Sequence, residues 1–154
     1  MENIVPPNVS VDYIAHQISG DIAGNVRQVL AIARQIHMTE PGVVPLIPYF
    51  SFLNYLDDHS PKERMMGVDG DKALIYRAAD RIRIFGPKIS TGIKFESLYF
   101  RDLNKPIILQ NPAIASDLEL VLGTYPFKVI PFTLEQKYLD EVDAISKHLR
   151  YKIV

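Results

Sequence analysis

Short apolar runs alternate with segments of helical period along almost the whole chain. This alternation narrows the possible folds more than any other feature. VDYIA (11–15) is the first run and is rich in strand formers. NVRQVLAIARQIHM (25–38) follows, with Val26, Val29, Leu30, Ala33, Ile36 and His37 at helical spacing and Arg27, Gln28, Arg34 and Gln35 mostly on the other face. TEPG ends that helix. VVPLIPYF (43–50) is the second run, although Pro45 and Pro48 argue against a regular central strand along all of it. SFLNYLDDHSPKER (51–64) reads as a loop with a helical piece, and a helix is predicted over about 70–79. Then come a strand at 79–86, a helix at 95–104, a strand at 105–111, a helix within 114–122 and a short strand at 127–131. The last helix is predicted over 133–149, with Thr133 and Gln136 as a capping box.

The order βαβ(α)βαβαβα predicts an α/β, Rossmann-like three-layer sandwich with a mostly parallel sheet of about five strands. A length of 154 residues suits a single domain over 1–154, and a hydrophobic content of 47% supplies its core. A net charge of −1 gives no electrostatic case for a nucleic-acid polymer, though one small nucleotide needs only a local pocket. The absence of cysteine excludes disulfides, thiolate metal sites and a cysteine nucleophile. MENIVPPNVSVD lacks the features of a signal peptide, and no run approaches the roughly 18 apolar residues of a membrane span, so the expectation is a cytoplasmic protein without a membrane partner. His16, His37, His59 and His148 form no metal-ligand spacing and no serine sits in a GxSxG elbow, so neither a catalytic metal nor a serine triad is expected.

Doubly wound sheets bind ligands outside the carboxyl ends of their strands. Two segments qualify: HQISGD after the first strand and GPKISTGIKFE after a central one. Glu96 lies about one turn into a helix beginning near Gly92, where the dipole and free N–H groups favour an ionised carboxylate, although acids at helix starts are also a general structural preference. Gly92 either admits substrate close to the backbone or supplies a turn with positive φ. Ser90 either bonds a ligand hydroxyl or caps the helix. In the loop Ile18, Ser19, Gly20 and Asp21, which closes a strand and opens a helix, the free N–H groups of Gly20, Asp21 and Ile22 suit an anion, but the loop is too poor in glycine for a phosphate fingerprint. Asp21 opposes a phosphate unless it caps the helix, and a ribose hydroxyl is its better partner. Asp69 and Asp71 flank a predicted helix start, either as caps or as a second carboxylate opposite Glu96. Asp80 suits a turn or salt bridge. His16 follows an apolar strand, where a histidine is more often structural than a ligand.

The combination of these segments is more specific than its parts. Tyr13, the ISGD that follows, ER-x2-G-x3-D and AD-x-I-x-x-FG-x2-IS-x-G-x3-E together resemble the nucleoside 2-deoxyribosyltransferase superfamily, most closely an uncharacterised bacterial and phage branch. The likeness covers about residues 11–110. It implies a domain acting on the N-glycosidic bond of a nucleoside or nucleoside monophosphate, without a cofactor. On that resemblance Glu96 is the nucleophile, Ser90 contacts the sugar or its phosphate, and Tyr13 lines the pocket. On the same resemblance, an aspartate before the preceding helix works near the base. Asp71 fits this role best, but its spacing to Asp80 is one residue longer than usual, which keeps Asp69 in play. Gln17 stands where a proline or small residue is usual.

The chemistry suits these residue types. Glycosidic cleavage builds oxocarbenium character that a carboxylate stabilises or captures, while an acid on the other side assists the leaving group. An ionised Glu96 suits the first role and a protonated Asp71 the second. The alternatives are a nucleotide-binding or sensing module without turnover, and an assembly protein with no ligand. FESLYFRDLN and LIPYFSFLNYL carry more aromatic residues than one amphipathic face needs, which predicts a homo-oligomer.

Overall fold

The computed structural model describes residues 8–148. Strands β1 (Ser10–His16), β2 (Val43–Leu46), β3 (Arg81–Gly86), β4 (Ile107–Leu109) and β5 (Lys128–Val129) form one sheet. All neighbours are parallel, in the order β2-β1-β3-β4-β5. The helices between and after them are α1 (Ile22–Thr39), α2 (Pro48–Leu53), α3 (Pro61–Ala78), α4 (Thr91–Asp102), α5 (Ala115–Leu122) and α6 (Gln136–His148). The fold is the α/β, Rossmann-like sandwich that the alternation predicts. Strand order reverses between β1 and β3, so the carboxyl ends of these two strands flank the crevice where such folds place ligands.

Strand alternation distributes the core over two faces. Tyr13 and Ala15 of β1 join Ile82, Ile84, Ile107 and Leu109 under α3, α4 and α5, which contribute Ile75, Ile93, Phe100, Leu118 and Leu122. Ile14 points the other way, to Ile32 and Ile36 of α1. Helix α6 packs on α1 through Ala31, Tyr138, Leu139 and Val142. Among the described residues no helix is long and apolar enough to cross a membrane.

Helix α1 begins at Ile22 and α4 at Thr91, three and four residues before the predicted spans, and two further helix starts differ for visible reasons. Helix α3 begins at Pro61 rather than near residue 70, with Ser60 capping it by accepting from the Glu63 amide at 3.3 Å. Gly67 and Gly70 both lie inside α3. Gly70 has a packing reason: a Cβ there would sit 2.6 Å from Cζ of Phe52, so the glycine lets α2 close onto α3. Helix α6 begins at Gln136 rather than Thr133. Gln35 holds the preceding segment outside the helix, donating to the Thr133 carbonyl at 2.9 Å and accepting from the Glu135 amide at 2.9 Å. The predicted end of this helix at residue 149 lies outside the described residues. The prolines of VVPLIPYF act as expected: the strand stops at Leu46 and Pro48 opens α2. Asp80 is structural, its carboxylate accepting from the Val11 amide at 2.7 Å.

A polar network crosses the sheet on the α1 side. Asp12 is fully buried and accepts from Arg81 at 2.8 Å and Arg83 at 3.3 Å. Arg83 also makes two 3.0 Å bonds to Glu40 and donates to Gln110 at 2.6 Å. Gln110 in turn donates to the Ile130 carbonyl. One guanidinium thus ties together β1, β3, the end of α1 and the segments after β4 and β5.

Candidate active site

Tyr13, Glu96 and Asp71 meet on the α3/α4 side of β1. Tyr13 is fully buried, and its hydroxyl donates to the Glu96 carboxylate. The path of α4 explains why Glu96 turns inward. Ser90 caps the helix by accepting from the Ile93 amide at 3.2 Å, and Ile93, Ser97 and Phe100 form its buried stripe. Glu96 lies three residues from Ile93 and so borders that stripe. Asp71 is four residues before the buried Ile75, on the inward side of α3. Its Oδ1 is buried without a hydrogen-bond partner. Asp69 is exposed on the same helix. Of the two aspartates Asp71 is thus the one on the inward side of α3, and neither residue caps a helix.

Gly92 lies outside the positive-φ region, which removes the turn explanation. A Cβ at this position would stand 3.9 Å from Glu96 Oε1 and 4.0 Å from Ser90 Oγ, so Ser90, Gly92 and Glu96 border one space. Ser90 is a cap by its hydrogen bond and a neighbour of Gly92 and Glu96 by its position.

A fourth member was not anticipated. Tyr49, on α2, donates to the Ile14 carbonyl at 2.7 Å and meets the Tyr13 ring edge-on at a centroid distance of 6.0 Å. It follows β2, the strand beside β1, so its place at a carboxyl end was the available signal.

His16 and Asp21 do not join this cluster. They line a cavity of ≈ 590 Å³ on the α1 side of the sheet. Asp21 caps α1 by accepting from the Gly24 amide at 3.1 Å. In the Ile18–Ser19–Gly20 turn, the Ile18 and Ser19 carbonyls accept from Asn25 at 3.0 and 3.1 Å, and Gly20 takes a φ of 94° that favours glycine. The HQISGD and GPKISTGIKFE segments, expected to share one ligand site, thus place His16 and Asp21 across the sheet from Glu96. Alternation along β1 is the reason: Tyr13 and His16 are an odd number of residues apart and point to opposite sides.

Burial raises the Glu96 pKa to about 8; the Tyr13 hydrogen bond opposes this shift and the Asp71 charge adds to it. Burial raises Asp71 to about 7. Burial, and then the Glu96 charge, pushes the Tyr13 and Tyr49 hydroxyls well above their ordinary value. Glu96 was expected to be ionised by a helix start. It lies beyond the first turn of α4, and desolvation there outweighs the dipole.

These shifts set the sign of a stability profile. Between the ordinary carboxyl range and pH 7–8 the folded state retains protons on Asp71 and Glu96 that the unfolded chain has released. Stability therefore falls as pH rises from about 4–5 to 8. We expect urea midpoints to drop across this window and the drop to shrink in Glu96→Gln. A midpoint that rises over the window would contradict the assigned shifts.

Fold and site together define a doubly wound α/β domain with a carboxyl pair, one member held by a buried tyrosine, beside its switch point. The family described as "Domain of unknown function (DUF7768)" matches residues 10–110, and the chain belongs to it. The matched span holds every member of the cluster. No curated protein matches the sequence. A solved structure described as "conserved protein from Enterococcus faecalis V583" is similar at 13% identity and a TM-score of 0.50, covering 89% of this chain and 99% of that one. At that identity the likeness shows the fold.

Proposed function

We propose that this domain cleaves or transfers the N-glycosidic bond of a nucleoside or nucleoside monophosphate, with Glu96 as nucleophile and Asp71 as acid–base. The observation that carries the reading is the half-buried carboxyl pair itself, with Glu96 held by Tyr13 and Asp71 Oδ1 left without a partner. Without a cation beside it, Glu96 retains its proton near neutrality. Oxocarbenium character at a bound anomeric carbon favours the Glu96 anion, and the remaining proton then belongs on Asp71. Attack by Glu96 forms a glycosyl ester as the base leaves with the bonding electrons and takes the Asp71 proton. Water or a second base then displaces Glu96, with Asp71 accepting the proton.

The resemblance in sequence to nucleoside 2-deoxyribosyltransferases supports the substrate class. A cytoplasmic location and a homo-oligomer belong to the same proposal. Most of the aromatic residues noted above pack within the chain, but Phe95, next to Glu96, is 60% exposed, and a second copy covering it would help close the site. A second reading, a nucleotide-binding module without turnover, is favoured by one fact: a protonated Glu96 is a hydrogen-bond donor rather than a nucleophile. Incubation with a panel of nucleosides and monophosphates, with free base followed by chromatography, separates the two. Base release supports the enzyme, and saturable binding without release supports the module.

Gly92→Ala gives a finer test of the space above Glu96. The new methyl meets only ordinary contacts, and alanine replaces glycine at the second residue of α4. Stability is expected to hold or to rise by about 0.5–1 kcal/mol. Turnover is expected to fall at least about tenfold, because even a small misplacement of a reacting group is costly. Unchanged turnover would place the substrate elsewhere.

A further inference from the structure

The cavity on the α1 side of the sheet is a site in its own right. Its ≈ 590 Å³ lies within the ~300–1,000 Å³ typical of small-molecule pockets. It opens at the carboxyl ends of β1, β3, β4 and β5, across the sheet from Glu96. Its apolar wall is the edge-to-face pair Phe85–Phe132, with centroids 5.0 Å apart, and the Arg83 guanidinium lies 6.0 and 5.8 Å from the two rings. Arg83 is itself fixed by Asp12, Glu40 and Gln110, so this wall is rigid.

Three polar side chains of the cavity, His16, Asn25 and Asn111, have one hand occupied and one free. His16 Nδ1 lies 2.6 Å from the Gln17 carbonyl, an acceptor only, so the ring proton sits on Nδ1 and Nε2 is left as an acceptor. Asn25 spends its amide hydrogens on the Ile18 and Ser19 carbonyls and keeps Oδ1 as an acceptor. Asn111 Oδ1 accepts from the Ala113 amide at 3.1 Å, which leaves its NH2 as a donor. Gln28, exposed on α1, adds an amide to the lining. The charged lining residues are Asp21 and Arg27, and Arg27 is already paired with Asp143 through two 2.8 Å bonds. A phosphate entering here meets the Asp21 carboxylate and, among the described lining residues, no unpaired cation. Hydroxyl groups, which both donate and accept, match the mixture of free acceptors and donors. An uncharged ring carrying them has the aromatic pair to pack against.

From this complementarity we propose that the α1-side cavity binds an uncharged, hydroxyl-bearing sugar ring, represented by an unphosphorylated pentose, free or as a nucleoside, as a second site independent of Glu96. The test is amide NMR on the full chain carrying Glu96→Gln, so that no ligand is consumed. D-ribose, uridine and uridine 5′-monophosphate are titrated separately to millimolar concentration. The reporters are the side-chain NH2 signals of Asn25, Gln28 and Asn111. Saturable shifts of these signals with D-ribose identify the sugar alone as sufficient. Shifts with uridine but not D-ribose identify the nucleoside. Either supports the proposal, provided the monophosphate binds this cavity about tenfold or more weakly. Gln28→Ala, which removes an exposed side chain, and Asn111→Ala are each expected to weaken binding severalfold. No shift at the reporters, shifts confined to the Tyr13–Glu96 side, equal binding of the monophosphate, or affinities unchanged in both variants would each overturn it. None of these outcomes bears on base release, which is read separately in the wild-type chain.

Discussion

Glu96→Gln is expected to reduce base release by at least about 10³-fold, a scale consistent with removal of a reacting group. The amide keeps the volume of the side chain and can still accept from Tyr13. It loses the negative charge that stabilises an oxocarbenium centre and the oxygen nucleophile that would capture it. The loss is expected in kcat, because shape complementarity to the ground state survives. Stability at neutral pH is expected to be unchanged or higher, since the variant no longer carries a carboxyl whose ionisation burial opposes. Chromatographic rates and urea denaturation, measured on the same preparation, separate chemistry from folding. A variant that turns over at the wild-type rate removes Glu96 from the mechanism. A variant that is inactive because it is unfolded shows a lost transition rather than a shifted rate.

The frame of the fold was legible because apolar alternation and helical period are strong local signals. They placed β1, α1, β3 and β4 close to where the structure has them. What escaped was decided by contacts between distant segments. The start predicted near residue 70 is one case: α3 runs through Gly67 and Gly70, and at Gly70 the Phe52 ring lies where a side chain would stand. That misplacement put Asp71 at a helix start, whereas in a helix beginning at Pro61 it falls on the stripe of Ile75. Ser60–Pro61 with Glu63 was the signal for the true start. Glu96, Tyr13, Ser90 and Gly92 were legible through resemblance, and the structure brings them together. His16 and Asp21 were assigned to the same pocket because proximity along the chain hides the face to which a strand residue points. The protonation of Glu96 was illegible, since desolvation depends on Tyr13 and on the neighbouring packed elements. Tyr49 was overlooked because its segment carried no motif.

The other large effect lies away from the carboxyl pair. Arg83→Met is expected to destabilise the fold by about 3–5 kcal/mol, the usual scale for breaking a buried ion pair from one side. Methionine preserves much of the apolar stem beside Phe85 and Phe132, so the change is dominated by charge and hydrogen bonding. Asp12 is fully buried and retains Arg81 as a partner, while Gln110 loses the guanidinium it accepts from and Glu40 loses two bonds. The remaining Arg81 contact places the expected loss toward the lower end of the range. Asp12→Leu combined with Arg83→Met is expected to recover part of it, because the buried charge goes together with its partner. Urea denaturation of the two single variants and the double variant closes the cycle. Additive losses would show that Asp12 and Arg83 act separately, and a loss below about 1 kcal/mol for Arg83→Met would reduce the network to the value of a surface pair. Arg83 also backs the aromatic wall of the α1-side cavity, whereas the Tyr13–Glu96 cluster lies across the sheet. A folded Arg83→Met chain is therefore expected to lose pentose binding at that cavity before it loses base release.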